Sequence, residues 1–239
     1  HYMKFSLRKK TALLIIIMAL ILCGTAIAVS SRVITDMLDE EYRAKATDLA
    51  DTIAAIVDVD AVIQSVDAVK SIYDSADNRV GSEEWGTPEF DEYTALFSHI
   101  SEEEYYKKVL NELRNIQNVN DVDCVYITYV DIPTESAIYI VDAALEDACP
   151  PGCFDPIYDI NRKLLDDPSV GFPAYITNTD EYGWLVTAGT PIYDEDGKVV
   201  AYSMVDISMD EIRDKQNRFI YLIVAILVVL TMLICVVGM

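Results

Sequence analysis

Histidine is almost missing from this 239-residue chain. There are two, and one is His1, in an HYM prefix that reads as an addition ahead of a native Met3. The other, His99, stands near Phe97 in a helical stretch, where a packed or surface role is the ordinary reading. Gly-rich phosphate loops and nucleophile elbows are absent as well. No acid–base constellation can be assembled, so no catalytic residue is assigned, no enzyme is expected and no cofactor is called for. Basic residues are scarce, 18 Lys and Arg against 40 Asp and Glu. Residues 31–218 hold all 40 acids and 14 of the basic residues, a net charge of −26. A field of that sign excludes nucleic acid and anionic lipid as partners. Its plain meaning is solubility; its sharper one is affinity for cations.

Charge disappears altogether from residues 11–30 and 219–239. About 20 helical residues span a ~30 Å hydrocarbon layer, so each run is long enough to cross a membrane. For the first run there are two rival readings. Ala26-Ile27-Ala28 resembles a signal-peptidase site, and Cys23 invites a lipoprotein. Leu22 stands where a lipoprotein needs a small residue, and the run is longer than the ~7–15 residues of a secretory core, so a retained anchor is preferred. Lys4, Arg8, Lys9 and Lys10 precede it, while Arg32 beyond it is set among Asp36, Asp39, Glu40 and Glu41. The positive-inside rule then predicts residues 1–10 in the cytoplasm, spans at 11–30 and 219–239, and an extracytoplasmic domain over 31–218. Those 188 residues suffice for one domain with a sizeable core. Met239 follows directly on the second span, so a cytoplasmic output domain is expected beyond it.

Between the spans the order is helices first, then strands. Ser31 to about Val66 lacks Pro and Gly and carries Ile34, Leu38, Tyr42, Leu49, Ile53, Ile56 and Val57 at helical spacing. Such a helix packs on its own domain, on a partner subunit, or on each along different stretches. Residues 76–92 read as a loop. A helix follows at 101–117, with Ser101 and Glu104 as its capping box. Alternation then predicts strands at 121–131, 137–143, 184–193 and 198–207, a short one at 173–177 and a short helix near 156–166. The fold class is α+β: an antiparallel sheet with one face under the long helix and the other left open.

The last two strands carry GWLVTAGTPIYDEDGKVVAYSMVDISM, with Trp184, Leu185, Val186, Pro191, Ile192, Asp194, Gly197, Val199, Val200, Asp206, Ile207 and Met209 in a characteristic pattern. Together with residues 50–62 and 106–130, this resembles the PAS-like Cache (PDC) sensor domains of bacterial transmembrane receptors, in the single-domain form. The resemblance implies a PAS-like sheet, an extracytoplasmic position between two spans, a homodimer, and a small molecule on the exposed sheet face. It also implies a ligand signal relayed through the second membrane helix. The aromatic-cage and Arg signature of amino-acid-binding relatives is absent, so a carboxylate and an amine both stay open as ligand.

Strand parity sorts the candidate residues. Val125, Ile127 and Tyr129 with Ile138 and Ile140 form the apolar set, suited to the helix-covered side. Tyr126, Thr128 and Val130 with Tyr139 and Val141 form the mixed set. The expected ligand-binding residues are Tyr126, Thr128, Tyr139, Tyr175, Trp184, Thr187, Tyr202 and Asp206, in which aromatic walls surround a few polar groups. Asp206 has two open roles: partner to a ligand ammonium, or cap of the helix that follows. Among the five cysteines, Cys23 and Cys235 fall within the spans and Cys124 in a strand. Cys149-Pro-Pro-Gly-Cys153 suits a type II turn that faces its cysteines, and a disulfide there is expected outside the cell. Two further ligands are lacking for zinc, and Asp155 and Asp159 form at most a hard-cation site, so no metal is assigned. The leading reading is a ligand sensor. Its alternative is a ligand-free dimerisation or docking module at the cell surface.

Overall fold

The computed structural model describes residues 7–120, 122–180 and 182–238; the side chains of residues 7–9, 12 and 234–238 are outside that description. The HYM prefix, Lys4, and the side chains of Arg8, Lys9 and Cys235 therefore lie outside the described residues. The chain divides into two compact units, His1–Glu41 with Met209–Met239, and Tyr42–Ser208.

The first unit is an antiparallel pair made from the first part of α1 (Leu7–Ile56) and from α6 (Asp210–Gly238). Both helices are long and apolar enough to cross a membrane, and none of the apolar window of α1 is buried. Leu14, Leu22 and Tyr221 are more than half exposed, which is the surface hydrocarbon would cover. Ile34 faces Phe219 and Ile220 along an apolar groove. Polar contacts close the pair at one end. Arg213 pairs with Asp39, and Gln216 donates from Nε2 to Thr35 Oγ1 at 2.5 Å.

In the second unit the expected single helix to Val66 is two. The chain breaks at Asp58, whose Oδ1 accepts the Ala61 N–H at 2.8 Å, so α2 (Val59–Ser75) begins there under its own cap. The expected loop at 76–92 ends early, because Thr87 caps α3 (Pro88–Ala95) and proline suits its first turn. The next helix, α4, runs Glu104–Asn120. A tight 3₁₀ turn at Ser98–Glu102 absorbs Ser101 and exposed His99, so the expected capping box does not start the helix.

Six antiparallel strands follow: β1 (Cys124–Asp131), β2 (Ser136–Asp142), β3 (Phe154–Pro156), β4 (Phe172–Thr179), β5 (Gly183–Tyr193) and β6 (Val199–Ser208). Their order is β3-β2-β1-β6-β5-β4, so the first and last long strands are neighbours at the centre. The α+β expectation holds; β3, three residues at an edge, has no sequence signature. At the β5–β6 turn Asp194 Oδ1 accepts the N–H groups of Asp196 and Lys198, and Gly197 takes φ +77°.

Burial and hydrogen bonds fix the two faces. Ser203 donates to the Ala50 carbonyl of α1 at 2.7 Å, and the Lys70 ammonium of α2 lies 5.7 Å from the Tyr129 ring centre. Val125, Ile127 and Val205 are fully buried on that side. The other face is not open, contrary to expectation. Residues 143–171 must travel from the β2 edge to the β4 edge, and they cross the sheet to do so. Ile157 and Leu164 in that crossing, the latter in the short helix α5 (Lys163–Asp166), pack with Phe172 onto Tyr126, Tyr202 and Met204.

Candidate functional site

Polar groups gather beneath this crossing. Register puts Cys124, Tyr126 and Thr128 of β1 beside Asp206, Met204 and Tyr202 of β6, and Thr187 of β5 on the other flank of Asp206. Thr187 Oγ1 donates to Asp206 Oδ1 at 2.6 Å, and the Tyr126 side chain is a second hydrogen-bond partner of that carboxyl. Tyr175 of β4 pairs with Thr187 across the strands and contacts the side chains of Thr187 and Asn161 through hydrogen bonds. The Tyr126 ring stacks on Tyr139, centres 5.2 Å apart and planes 25° from parallel. Tyr139 in turn donates to Asp155 Oδ2 at 3.0 Å, and Ser82 donates to the other oxygen of Asp155.

A bulge adds a third carboxylate. Thr128 pairs with Tyr139 but Ile127 pairs with Val141, so Ile140 is unpaired and the alternation slips by one. Val141 therefore moves to the helix side, against its expected place in the mixed set. Asp142 arrives opposite Tyr126 instead, where its oxygens accept the N–H groups of Ala144 at 2.9 Å and Cys149 at 2.8 Å.

Five of the eight expected residues thus form one connected constellation: Tyr126, Tyr139, Tyr175, Thr187 and Asp206. Thr128 shares their face; it is 2% exposed, and its Oγ1 has no hydrogen-bond partner among the described residues. Tyr202 is on the face too, but its hydroxyl donates to the Pro168 carbonyl at 3.0 Å and its ring meets Phe172 edge-on, so it holds the crossing down. Trp184 is not part of the constellation. It pairs with Asn178 and has the strand parity of Val186, opposite to Thr187. Of the two roles open to Asp206, the hydrogen bonds to Thr187 and Tyr126 belong to the sheet face, not to a helix cap. Sequence reasoning missed Asp142, Asp155 as a polar neighbour of the site, and Asn161, which is 3% exposed with Oδ1 unpartnered.

Burial dominates the electrostatics. It pushes the Asp206 carboxyl up to about 6, with Asp142 and Asp123 adding like charge, although bonds from Thr187 and Tyr126 favour the anion. Burial also raises Asp142 and Asp155, holds the Tyr126 and Tyr139 hydroxyls well above the ordinary tyrosine range, and moves Tyr175 to about 12. Among the described residues, no Lys or Arg forms an ion pair with Asp142, Asp155 or Asp206. The site is acidic and aromatic, and no described basic residue is paired with its carboxylates.

This chain is similar to known sensor domains. The E. coli DcuS sensor domain matches at 16% identity and a TM-score of 0.33, over 63% of this chain and 98% of that one. The sensory domain of the Campylobacter jejuni chemoreceptor Tlp3 matches at 14% identity and a TM-score of 0.30, over 75% of this chain and 65% of that one. A Tlp3 ligand-binding domain in complex with 4-methylisoleucine matches at 15% and 0.31, over 74% and 62%. No family model and no curated protein matches the chain. The strand order and the packed constellation are what describe the fold.

The cysteines of the Cys149-to-Cys153 turn are free thiols in the structure, and the Cys149 side chain touches Cys153 through a hydrogen bond. Cys124 is a half-buried thiol pushed up to about 12 by burial. Among the described residues, no group of three or more His, Cys, Asp or Glu is arranged to hold a metal ion. An open cleft of about 510 Å³ lies elsewhere, lined by Asp58, Gln64, Tyr105 and Lys108. Both of its lysines are already paired, Lys108 with Asp58 and Lys107 with Glu102, and Asp60 and Glu104 complete its charged lining.

Proposed function

We propose that the chain is the membrane-anchored, extracytoplasmic sensing part of a signal-transduction receptor, and that its ligand is a small organic cation held by Asp206. The observation that carries the ligand class is an enclosed carboxylate among tyrosines with no basic residue paired to it among the described residues. A cation would supply the missing counter-charge, whereas a carboxylate ligand would add to the repulsion. Thr128 Oγ1 and Asn161 Oδ1, buried and unpartnered, support the same reading. Such an atom costs about 1–3 kcal/mol when left unsatisfied, and a bound polar group would recover part of that cost. The sensing role is supported by the hairpin motif and by the two apolar helices flanking the domain in sequence.

Entry requires the crossing at 143–171 to lift, since its apolar side chains fill the face. Ligand acts by binding one conformation of the crossing better than the other. Because β6 ends at Ser208 and α6 begins at Asp210, a change along β6 continues directly into the second membrane helix.

The test is calorimetry on the whole chain in lipid nanodiscs against a panel of primary amines and matched carboxylates. At least one amine should bind, carboxylates should not, and Asp206→Asn should abolish the heat. Binding of carboxylates alone would overturn the cation assignment. Silence across the whole panel would favour the alternative that the filled face suggests, a docking or dimerisation module. For the relay, cysteine pairs placed along 34–56 and 212–222 should change their cross-linking yield with the bound amine. Constant yields at every pair would rule out a helix displacement.

A further inference from the structure

The turn at Cys149–Cys153 is held in place more firmly than a surface loop requires. Cys153 N–H donates to the Pro150 carbonyl at 3.1 Å, and Gly152 takes φ +84° after Pro151, the geometry of a type II turn. The turn is then bound to β2 from both sides of Tyr139. The Tyr139 N–H donates to Cys153 O at 2.8 Å, and the Gly152 N–H to Tyr139 O at 2.9 Å. Tyr93 donates to the Gly152 carbonyl at 2.9 Å, and Phe97 occupies the space a Cβ at Gly152 would need. Cys149 is anchored separately, through its N–H to Asp142 Oδ2 at 2.8 Å. Two thiols are thus held in contact by backbone that is already fixed, and the residues fixing it, Tyr139 and Asp142, belong to the acidic constellation.

We propose that Cys149 and Cys153 form a thiol–disulfide exchange site, with a small-molecule or protein disulfide as co-reactant, and that closing their bond locks the root of the 143–171 crossing onto β2. Cys149 is half-buried and Cys153 fully buried, so Cys149 meets the incoming disulfide. It loses its proton to solvent, and the thiolate attacks one sulfur of R–S–S–R. That S–S bond breaks, one RS⁻ leaves, and a mixed disulfide remains on Cys149. Cys153 then gives up its proton and attacks the Cys149 sulfur, and the second RS⁻ departs. The pair is oxidised by two electrons, R–S–S–R is reduced to two thiols, and the two protons lost are taken up by the leaving groups. The Cys153 contact, and after it burial, push the Cys149 thiol well up, so the exchange is slow at neutral pH and quickens as pH rises.

The bond restricts open conformers of a very short loop, an effect that does not depend on whether Asp206 binds a cation. The whole chain in detergent micelles is treated with glutathione disulfide, or with dithiothreitol, then alkylated under native conditions and digested for mass spectrometry. After oxidation the peptide holding both cysteines should be lighter by two hydrogens and unalkylated; after reduction it should carry alkyl groups. Amide exchange should slow on the order of tenfold at Tyr139 and Gly152 in the oxidised form. In Cys153→Ser the reaction should stop at the mixed disulfide on Cys149. Full alkylation of both cysteines after oxidation would overturn the exchange site. A disulfide that leaves those two amides unchanged would overturn the locking. An equal slowing in a Cys149→Ala/Cys153→Ala variant would assign it to other thiols and overturn both.

Discussion

Replacing Asp206 with Asn should flatten the pH dependence of stability between about pH 4 and pH 6. In the folded chain burial raises the carboxyl from 3.8 to about 6, so between those values the folded state keeps a proton that the unfolded state has released. Stability from this group is fully present below pH 3.8 and is lost as pH rises through 6. A shift of about 2 units at 1.36 kcal/mol each amounts to about 3 kcal/mol. Asp142 and Asp155 are raised as well and act in the same direction, so the parent protein should weaken from pH 4 to pH 7 by at least that much. Asn keeps an oxygen for the Thr187 hydroxyl and supplies a donor toward Tyr126, while carrying no charge. Urea denaturation in nanodiscs, followed by near-ultraviolet circular dichroism, reads the effect. With a slope of roughly 2 kcal/mol per molar, the midpoint change from pH 4 to pH 7 should shrink by about 1.5 M in Asp206→Asn. Equal pH profiles for the two proteins would mean that Asp206 titrates as a hydrated carboxyl, and the enclosed-site reasoning would fail with it.

Thr128→Val replaces the unpartnered buried hydroxyl with a methyl of the same shape, so the ligand-free protein should gain about 1 kcal/mol by urea denaturation while amine affinity falls. Gly152→Ala should cost about 2–4 kcal/mol in the same assay. Its Cβ would lie 2.4 Å from the Phe97 ring, and φ +84° is unfavourable to alanine. Asp58→Ala removes the cap of α2 and the partner of Lys108, which should lower stability by about 1–2 kcal/mol and speed amide exchange in the first turn of α2.

Period-two alternation was enough to read both long hairpins and to assign Val125, Ile127 and Ile138 to the helix side, but it left open which side of the second hairpin faces the site. Its failures have separate causes. Asp58 ended a helix that hydrophobic spacing alone would have continued, because a cap acts through one side-chain oxygen and leaves the apolar pattern intact. Asp142 was invisible because a bulge changes parity without changing composition. Trp184 was chosen for its chemistry although parity already set it against Thr187. The short helix near 156–166 was legible, but not that the crossing at 143–171 covers the sheet, because the contacts of Leu164 and Ile157 are with strands distant in sequence, which no local period encodes.

The bulge at Ile140 makes β2 a strand with a change of phase. A substitution scan along it should not show one uninterrupted alternation of tolerant and sensitive positions. Changes at Ala137 and Tyr139 should register in ligand binding and those at Ile138 in folding. Beyond the unpaired residue the pattern inverts, with Val141 answering to folding and Asp142 to binding. Deleting Ile140 should restore a single rhythm and leave the two roles in place, because Val141 then follows Tyr139 directly on the helix side and Asp142 stays opposite Tyr126. One extra residue of chain length therefore changes the parity of the sequence without moving any paired side chain from its face.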